Sequence, residues 1–212
     1  MSQSVLQPMK MAHIVFRTAN YEAMLDWWTN LLGAHAVYKA EFATFLTYDD
    51  EHHRIAIINQ PHLTEPRGKN ISLFDHVAFT YSSLKDLLEG YKIRKAKGIV
   101  PTICINHGPT TSMYYVDPDG NRAELQVDAF ATAQEGIDYM HSDEFKRNIA
   151  GKLFVPEDLI ARLEAGESEE SIKKLVVGED EVMDEKQAAE FVKKLVGSNT
   201  GDSAPKETVI SA

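Results

Sequence analysis

The chain contains an internal repeat, and this repeat limits what the chain can fold into. A segment starting at Met11 and a segment starting at Phe74 each open with a short apolar strand that carries a histidine, AHIVF and DHVAF. Each then passes through a polar break into apolar residues at helical spacing, followed by a glycine, Gly33 or Gly98. Both glycines are typical of helix C-terminal caps. The pattern predicts two copies of one structural unit.

Three strand-like stretches follow each predicted helix, so each half predicts a β-α-β-β-β module. They are AVYKA, FATFLTY and HRIAIINQ in the first half, and IVPTICIN, TTSMYYV and NRAELQV in the second. The turn DPDG at 117–120 is a strong hairpin signal, whereas the first half has DDEH at the matching place. Because one helix-covered sheet of this size cannot bury its apolar face alone, we expect the two modules to pack together.

The predicted fold class is α+β, with two paired βαβββ modules that form a curved sheet around a metal site. The modules cover about residues 10–61 and 72–130 within a domain of residues 1–130, and PHLTEPRGKN between them is a predicted linker. Residues 131–197 predict a helical C-terminal extension that acts as a packing lid or a dimer arm. Residues 198–212 are polar and predict a disordered tail.

Composition excludes several classes of partner. The 212 residues are 43% hydrophobic and carry a net charge of −10, so we expect no nucleic-acid binding and no membrane attachment. No apolar run approaches the roughly 20 residues of a membrane helix, and the start of the sequence has no apolar signal segment. The single cysteine, Cys104, excludes an internal disulfide and indicates a buried structural thiol in a reducing, cytoplasmic location.

Three residues could form a metal site. His13 and His76 occupy equivalent places in the two modules, and pseudo-two-fold packing would point both imidazoles into one cavity. Glu124 lies in the apolar stretch AELQV, and a buried carboxylate needs a cation as partner. Two imidazoles and one carboxylate form a facial triad with open metal positions, which is typical of non-haem Fe(II) enzymes that use O2.

Ala56 favours three ligands over four. Aligning Arg54 with Arg122 places Ala56 at the position of Glu124, and alanine cannot bind a metal. A site with four ligands would need a glutamate or glutamine there. The structural alternative is that each histidine is a core residue hydrogen-bonded to backbone, which is the commoner role of a single histidine on an apolar strand.

These residues resemble those of a known family. Residues 10–128, with paired modules and the histidine, histidine and glutamate set, resemble the vicinal oxygen chelate superfamily. The further motifs resemble its one-domain type I extradiol (catechol ring-cleaving) dioxygenases. The superfamily also contains glyoxalases, epimerases and drug-binding proteins, so the fold alone does not give the activity. The familiar ring-cleaving enzymes have an additional metal-free pair of modules, whereas this chain has one pair.

The resemblance implies three catalytic residues. The family's histidine pair matches DDEHHRIAI, and its second member, the acid–base, corresponds to His53. The family's tyrosine ten residues before the glutamate ligand corresponds to Tyr114. A second-sphere histidine shortly before that tyrosine corresponds to His107, with a spacing two residues shorter than in the family. His52 is the outward neighbour of His53, and its use as the acid–base remains an alternative.

The resemblance implies a function with two alternatives. We expect an Fe(II)-dependent extradiol dioxygenase that cleaves a catechol-type ring with O2, and Mn(II) also suits the ligand set. The partners would be a small aromatic diol and O2, and a homodimer is favoured because an open sheet edge needs cover. The alternatives are a metal-dependent isomerase, epimerase or lyase, and a protein that binds an aromatic compound or drug without turnover.

Other histidines and aromatic residues have less specific roles. His35, His62 and His141 are predicted to be surface or loop residues. Five aromatic side chains are available to line a substrate pocket: Phe16, Trp28, Phe45, Phe79 and Tyr115. The sequence does not decide which of them face a pocket.

Overall fold

The computed structural model describes residues 9–63 and 74–197. The chain divides into two compact units, residues 1–68 and 69–212, each of which contains one copy of the repeat. Most of the predicted linker and the predicted disordered tail lie outside the described residues. The predicted domain boundary at residue 130 stays a prediction.

The first unit is a β-α-β-β-β module. Its strands form a four-stranded sheet in the order β1-β4-β3-β2, in which β1 and β4 are parallel and the other neighbours are antiparallel. The elements are β1 (Ile14–Thr18), α1 (Tyr21–Leu32), β2 (His35–Lys39), β3 (Ala43–Thr47) and β4 (Ile55–Asn59).

Helix α1 covers one face of this sheet because its apolar residues recur at helical spacing. Met24, Trp28 and Leu31 are fully buried. The helix ends at Gly33, which takes the left-handed conformation at φ 64° and whose N–H donates to the Thr29 carbonyl. The predicted helix and its glycine cap are confirmed.

The second unit repeats the module and adds the C-terminal extension. Its sheet has the order β5-β8-β7-β6-β9, and only β5 and β8 are parallel. The module's elements are β5 (His76–Thr80), α2 (Leu84–Ala96), β6 (Ile103–Asn106), β7 (Thr110–Val116) and β8 (Arg122–Asp128). The extension's elements are α3 (Ala133–Met140), α4 (Asp143–Lys146), β9 (Lys152–Leu153), α5 (Pro156–Glu164), α6 (Glu169–Lys173) and α7 (Glu185–Gly197).

Helix α2 is the predicted helix of the second repeat, and a serine caps its N-terminus. The Ser83 hydroxyl accepts a hydrogen bond from the Asp86 N–H at 3.0 Å, which satisfies one free donor of the first turn. Leu84, Leu87 and Leu88 are buried. Gly98 follows the last cap residue.

The parallel strand pair of each sheet, β1 with β4 and β5 with β8, has the equivalent register. Val15 of β1 pairs with Ala56 of β4, and Ala78 of β5 pairs with Glu124 of β8. Val15 lies two residues after His13, and Ala78 lies two residues after His76. Ala56 and Glu124 therefore occupy equivalent positions, as the alignment of the two arginines predicts.

The extension is tied to the second sheet by a strand that the sequence analysis missed. Residues 152 and 153 form β9, in which Leu153 pairs with Ile105 and Lys152 with Asn106. Two residues are too short to show the alternation by which strands are recognised. The extension is helical as predicted, and it also continues the module's sheet.

Two further observations concern the whole described part of the chain. None of its helices combines the length and the apolar character needed to cross a membrane. Cys104 is partly exposed rather than fully buried, yet burial of its thiol raises the pKa to about 12. The thiol is therefore protonated at neutral pH, as expected for a structural cysteine.

Candidate active site

One face of the second sheet carries most of the predicted site. Residues paired directly across neighbouring strands point to the same side of a sheet. Tyr114 pairs with Glu124, and Glu124 pairs with Ala78, so these side chains share one face. His76 stands two residues before Ala78 and lies on that face as well. Leu125 is buried and alternates with Glu124 along β8, so its side chain points to the opposite face of the sheet. Helix α2 contacts β8.

His76 and Glu124 meet on this face. The Nε2 atom of His76 lies 2.9 Å from Oε2 of Glu124, whose side chain is almost completely buried. The other ring nitrogen of His76 lies 2.8 Å from the carboxylate of Asp75. The hydrogen bond to Glu124 raises the pKa of His76 although burial opposes the shift, and Asp75 adds to the increase. Both ring nitrogens are therefore oriented by carboxylates.

Glu124 is an ionised carboxylate in a buried place. Burial acts to raise its pKa, but hydrogen bonds from His76, Ser112 and Tyr114 outweigh that effect and lower it. Ser112 is fully buried and pairs with Gln126 on the same face. The sequence analysis missed Ser112 and Asp75, although their positions two residues before Tyr114 and next to His76 could have indicated them.

Tyr114 and His107 form a connected pair beside Glu124. Nδ1 of His107 faces the Ala150 carbonyl at 3.1 Å and so carries the proton, and Nε2 lies 3.1 Å from the Tyr114 hydroxyl. This hydroxyl has a single proton, which it donates either to Nε2 of His107 or to the Glu124 carboxylate. Burial lowers the pKa of His107, and the imidazole is neutral in this arrangement. Burial and the nearby charge of Glu124 raise the pKa of Tyr114, which keeps the phenol protonated.

In the first unit, His13 and His53 stack on each other. Their ring centroids are 4.4 Å apart with an angle of 28° between the planes. Phe45 also contacts His53, with centroids 5.1 Å apart. Burial lowers the pKa of His53, and the nearby rings of His13 and His52 lower it further. The His52 side chain is 69% exposed, so His53 is the member of the pair that lies beside the predicted ligand.

The loop between β3 and β4 brings these histidines together. The Thr47 hydroxyl donates to the Glu51 carbonyl at 2.8 Å, which folds the loop back on the end of β3. The Arg54 guanidinium donates to the carbonyls of residues 11 and 12 at 2.9 and 3.1 Å. Since these carbonyls directly precede His13, Arg54 fixes the loop against the residues that lead through His13 into β1.

The structure also places the remaining candidates. His35, His62 and His141 are exposed, as predicted. Trp28 and Tyr115 are fully buried, so of the five aromatic candidates these two do not line an open pocket.

The described residues do not complete a metal site within either unit. Taken alone, neither unit brings together three or more His, Cys, Asp or Glu side chains that could hold a metal ion. The predicted triad takes His13 from the first unit and His76 with Glu124 from the second, and its assembly stays a prediction.

Two surface pockets of the second unit lie away from the predicted site. One, of about 820 Å³, is lined at the strand ends by residues that include Thr80, Asp128 and Lys173. The other, of about 330 Å³, lies between β9 and the helices that follow it. Within the described part of this unit, none of the candidate ligands or catalytic residues lines either pocket. We therefore do not assign the reaction to these pockets.

Comparison with known proteins identifies relatives across most of the chain. The family model of the Glyoxalase/Bleomycin resistance protein/Dioxygenase superfamily matches residues 10–125. The chain is 45% identical over 157 residues to Biphenyl-2,3-diol 1,2-dioxygenase 2 of Rhodococcus globerulus, covering 74% of this chain and 83% of that protein. It is 42% identical over 165 residues to Biphenyl-2,3-diol 1,2-dioxygenase 3 of the same organism, covering 77% and 86%.

A solved structure is also similar to the chain. The crystal structure of a glyoxalase/dioxygenase from Nostoc punctiforme is 21% identical and has a TM-score of 0.47. The match covers 60% of this chain and 99% of that chain.

Proposed function

The chain belongs to the Glyoxalase/Bleomycin resistance protein/Dioxygenase superfamily, within which it is an extradiol ring-cleaving dioxygenase, and we propose that its substrate is an aryl-substituted catechol. The observation that carries the proposal is the identity of 45% and 42% to two biphenyl-2,3-diol 1,2-dioxygenases over most of both chains. The hydrogen-bonded set of His107, Tyr114, Glu124 and His76 supports it independently.

The relatives' names specify which bond is cut. In biphenyl-2,3-diol the hydroxyls are on C2 and C3, and C1 carries the second ring. A 1,2-dioxygenase acting on this compound cleaves beside the diol, between a hydroxylated carbon and the carbon that bears the aryl group. We propose the same outcome here, with both atoms of O2 in a ring-opened product that has an aryl ketone, a carboxylate and, next to the carboxylate, the remaining hydroxyl.

We propose that His13, His76 and Glu124 hold the catalytic metal. Two imidazoles and a carboxylate suit Fe(II), the metal proposed here, and also Mn(II). Asp75 on the second nitrogen of His76 is the outer carboxylate that metal-binding histidines commonly have. When bound, the metal would supply the charge that favours ionisation of the diol and the redox capacity to activate O2.

Tyr114 and His107 would orient the diol. The Tyr114 hydroxyl lies beside Glu124, so it is placed to hydrogen-bond a substrate oxygen next to the ligands. His107 holds that hydroxyl from the other side, and the Ala150 carbonyl fixes the tautomer of His107. With two partners in place, the phenol would lose little rotational freedom when substrate binds.

His53 would move the proton. Its ring stacks on His13, so its nitrogens lie close to the proposed metal site. The lowered pKa of His53 favours the neutral imidazole at neutral pH, which can accept a proton from the diol and later return it to an oxygen atom of the reacting group. Phe45 beside the ring limits its access to water.

Three further proposals concern the protein's partners, assembly and location. With a net charge of −10, we propose that the protein acts on a free small molecule, without nucleic acid or membrane as partner. A homodimer and a reducing cytoplasmic location are the assembly and location that we propose for it.

O2 consumption by the metal-loaded protein tests the function. Anaerobically purified protein would be loaded with Fe(II) or Mn(II) and given biphenyl-2,3-diol, 3-methylcatechol or catechol in an oxygen electrode, with metal-free protein as control. We expect one O2 per diol and a yellow ring-opened product only with metal. If one metal binds tightly but no diol is consumed, the isomerase or lyase alternative replaces this proposal. Diol binding that metal removal does not change, without turnover, favours a binding protein.

A further inference from the structure

The last described helix, α7, contacts the proposed catalytic face. Ile103, Ile105 and Tyr114 form a buried apolar cluster in the second unit, and Phe191 of α7 is partly buried against it. Tyr114 thus has two surroundings: its hydroxyl contacts His107 and Glu124, while its ring belongs to an apolar cluster that a distant helix completes.

The strand register decides which face this cluster occupies. Ile103 pairs with Tyr114, and Tyr114 pairs with Glu124, so the three side chains lie on the same side of the sheet. Ile105 lies two residues after Ile103 and shares this side. Phe191 therefore packs on the face that carries the proposed ligands His76 and Glu124.

The chain before α7 is fixed to the same unit by named contacts. The buried Asn148 side chain donates to the Glu181 carbonyl at 3.2 Å, and the Met183 N–H donates to the Arg147 carbonyl at 2.8 Å. Lys152 of β9 forms an ion pair with the Glu181 carboxylate at 2.6 Å. Ala188, one turn before Phe191, is 2% exposed. These contacts hold the residues that lead into α7, and the buried Ala188 shows that α7 itself packs against neighbouring residues.

We infer that Phe191 is a specificity-determining residue, which forms the apolar wall against which the substituent beside the diol binds. The inference rests on the proposed function. A diol held near Glu124 and the Tyr114 hydroxyl has polar partners at its oxygens, so its remaining surface needs apolar contacts. Phe191 is only partly buried and supplies apolar surface on this face, beside the tyrosine ring and over the buried Ile103 and Ile105. A phenyl substituent would gain an aromatic contact that catechol itself lacks.

Selectivity between two diols tests this inference. Phe191→Ala and Phe191→Leu would be compared with wild type and with Val192→Ala, a change at the neighbouring residue that is 44% exposed. The readouts are kcat/KM and the anaerobic Kd for biphenyl-2,3-diol and for catechol. We expect Phe191→Ala to lower the biphenyl-2,3-diol to catechol ratio of kcat/KM about tenfold, with a parallel change in Kd, because an aromatic contact and its buried area are lost. Leucine should have a smaller effect, and Val192→Ala should match wild type.

Two results would overturn the inference, and both differ from failure of the proposed function. If Phe191→Ala folds and leaves the ratio unchanged or raises it, Phe191 is not a wall for the substituent. If neither Phe191 variant folds, the wild-type ratio of kcat/KM for the two diols becomes the test. A wild-type enzyme that cleaves both diols without preferring the aryl-substituted one contradicts the inference. A wild-type protein that neither binds nor cleaves any diol would instead refute the proposed function.

Discussion

The two repeats of this protein have the same backbone plan but different side chains on the corresponding faces. In the first unit, Phe45 and Ala56 are paired across neighbouring strands. In the second unit, the equivalent pair is Tyr114 and Glu124. One repeat thus has an aromatic ring and a methyl group where the other has a phenol and a carboxylate. The comparison indicates that the duplicated sheet determines positions, while individual substitutions determine chemistry.

The Glu124 carboxylate is buried and therefore needs hydrogen-bond donors around it. An unpartnered buried carboxylate costs several kcal/mol, and Glu124 receives hydrogen bonds from His76, Ser112 and Tyr114. At Ser112 the first unit has Ala43, since Ala43 pairs with Ile58 as Ser112 pairs with Gln126. The polar side chains that stabilise the carboxylate therefore came with it in the same repeat.

The hairpin loops differ as well. From Phe45 to Ala56 the chain advances 11 residues, whereas from Tyr114 to Glu124 it advances 10 (56 − 45 and 124 − 114). The shorter loop is the tight DPDG turn, and the longer one carries His53. Asn121, directly before Arg122, is the counterpart of His53, directly before Arg54. The proposed proton-transfer residue thus belongs to the longer loop, and the second repeat has an asparagine, which cannot act as an acid–base, at the equivalent place.

Replacing Glu124 by the first unit's residue should have the largest effect. We expect Glu124→Ala to lower metal affinity by more than the roughly 100-fold that loss of an outer-shell partner costs, and to abolish turnover. Metal content after dialysis and O2 uptake measure this result. Gln126→Ala, two residues further along the same face, is the matched control and should retain its metal. Equal metal content in both variants would mean that Glu124 is not a ligand.

Replacing His53 by its counterpart should affect turnover and leave metal binding unchanged. We expect His53→Asn to reduce kcat by about 10²–10⁴-fold, the range for loss of a general acid–base. His52→Asn is the control, and its effect should be small because the His52 ring is mostly exposed. A larger loss in His52→Asn than in His53→Asn would transfer the role to His52, the alternative that the sequence leaves open.

Converting Tyr114 to the first unit's phenylalanine should have a smaller effect. Tyr114→Phe removes one hydroxyl and keeps the ring, so we expect kcat/KM to fall about 5- to 150-fold, which corresponds to one lost hydrogen bond of about 1–3 kcal/mol. Metal content should not change. Tyr115→Phe is the control, since Tyr115 is fully buried on the opposite face. Comparable losses in both would indicate a packing effect instead of substrate contact.

The extension provides the last contrast, because only the second unit has it. The Asn148 side chain accepts from the Gly151 N–H at 3.0 Å and donates to the Glu181 carbonyl. We expect Asn148→Ala to lower the free energy of unfolding by about 1–3 kcal/mol, since it leaves buried backbone groups without partners. Thermal or urea unfolding measures this change. The control is Gln134→Ala, which removes an exposed hydrogen bond to Asp138 on the surface of α3. Equal stability of the two variants would show that the extension is not held at this point.

Much of the frame was predictable because it is repeated. Periodicity and the glycine signals gave both helices, and the matching arginines gave the equivalence of Ala56 and Glu124 before any strand pairing was known. Within each unit the sequence-predicted residues lie together: His13 with His53, and His76 with Glu124, as well as Tyr114 with His107.

The remainder depends on contacts that have no local signal. Strand β9 is two residues long, and the contact of Phe191 with the cluster around Tyr114 joins residues 77 positions apart (191 − 114). Ser112 looks like one of several polar residues in TTSMYY until the register places it beside Gln126 and near Glu124. Amphipathic patterns predict helices, but they do not indicate which face of a sheet a helix will cover.

The central claim is that one metal site takes ligands from both repeats, and metal stoichiometry tests it most directly. His13→Ala, His76→Ala and wild type would be loaded anaerobically with Fe(II), dialysed and analysed for iron per chain, with O2 uptake on biphenyl-2,3-diol measured in parallel. We expect one iron per wild-type chain, and loss of both iron and O2 uptake in each variant. A His13→Ala protein that keeps its iron and its full O2 uptake would contradict it, because the second repeat would then hold the metal alone.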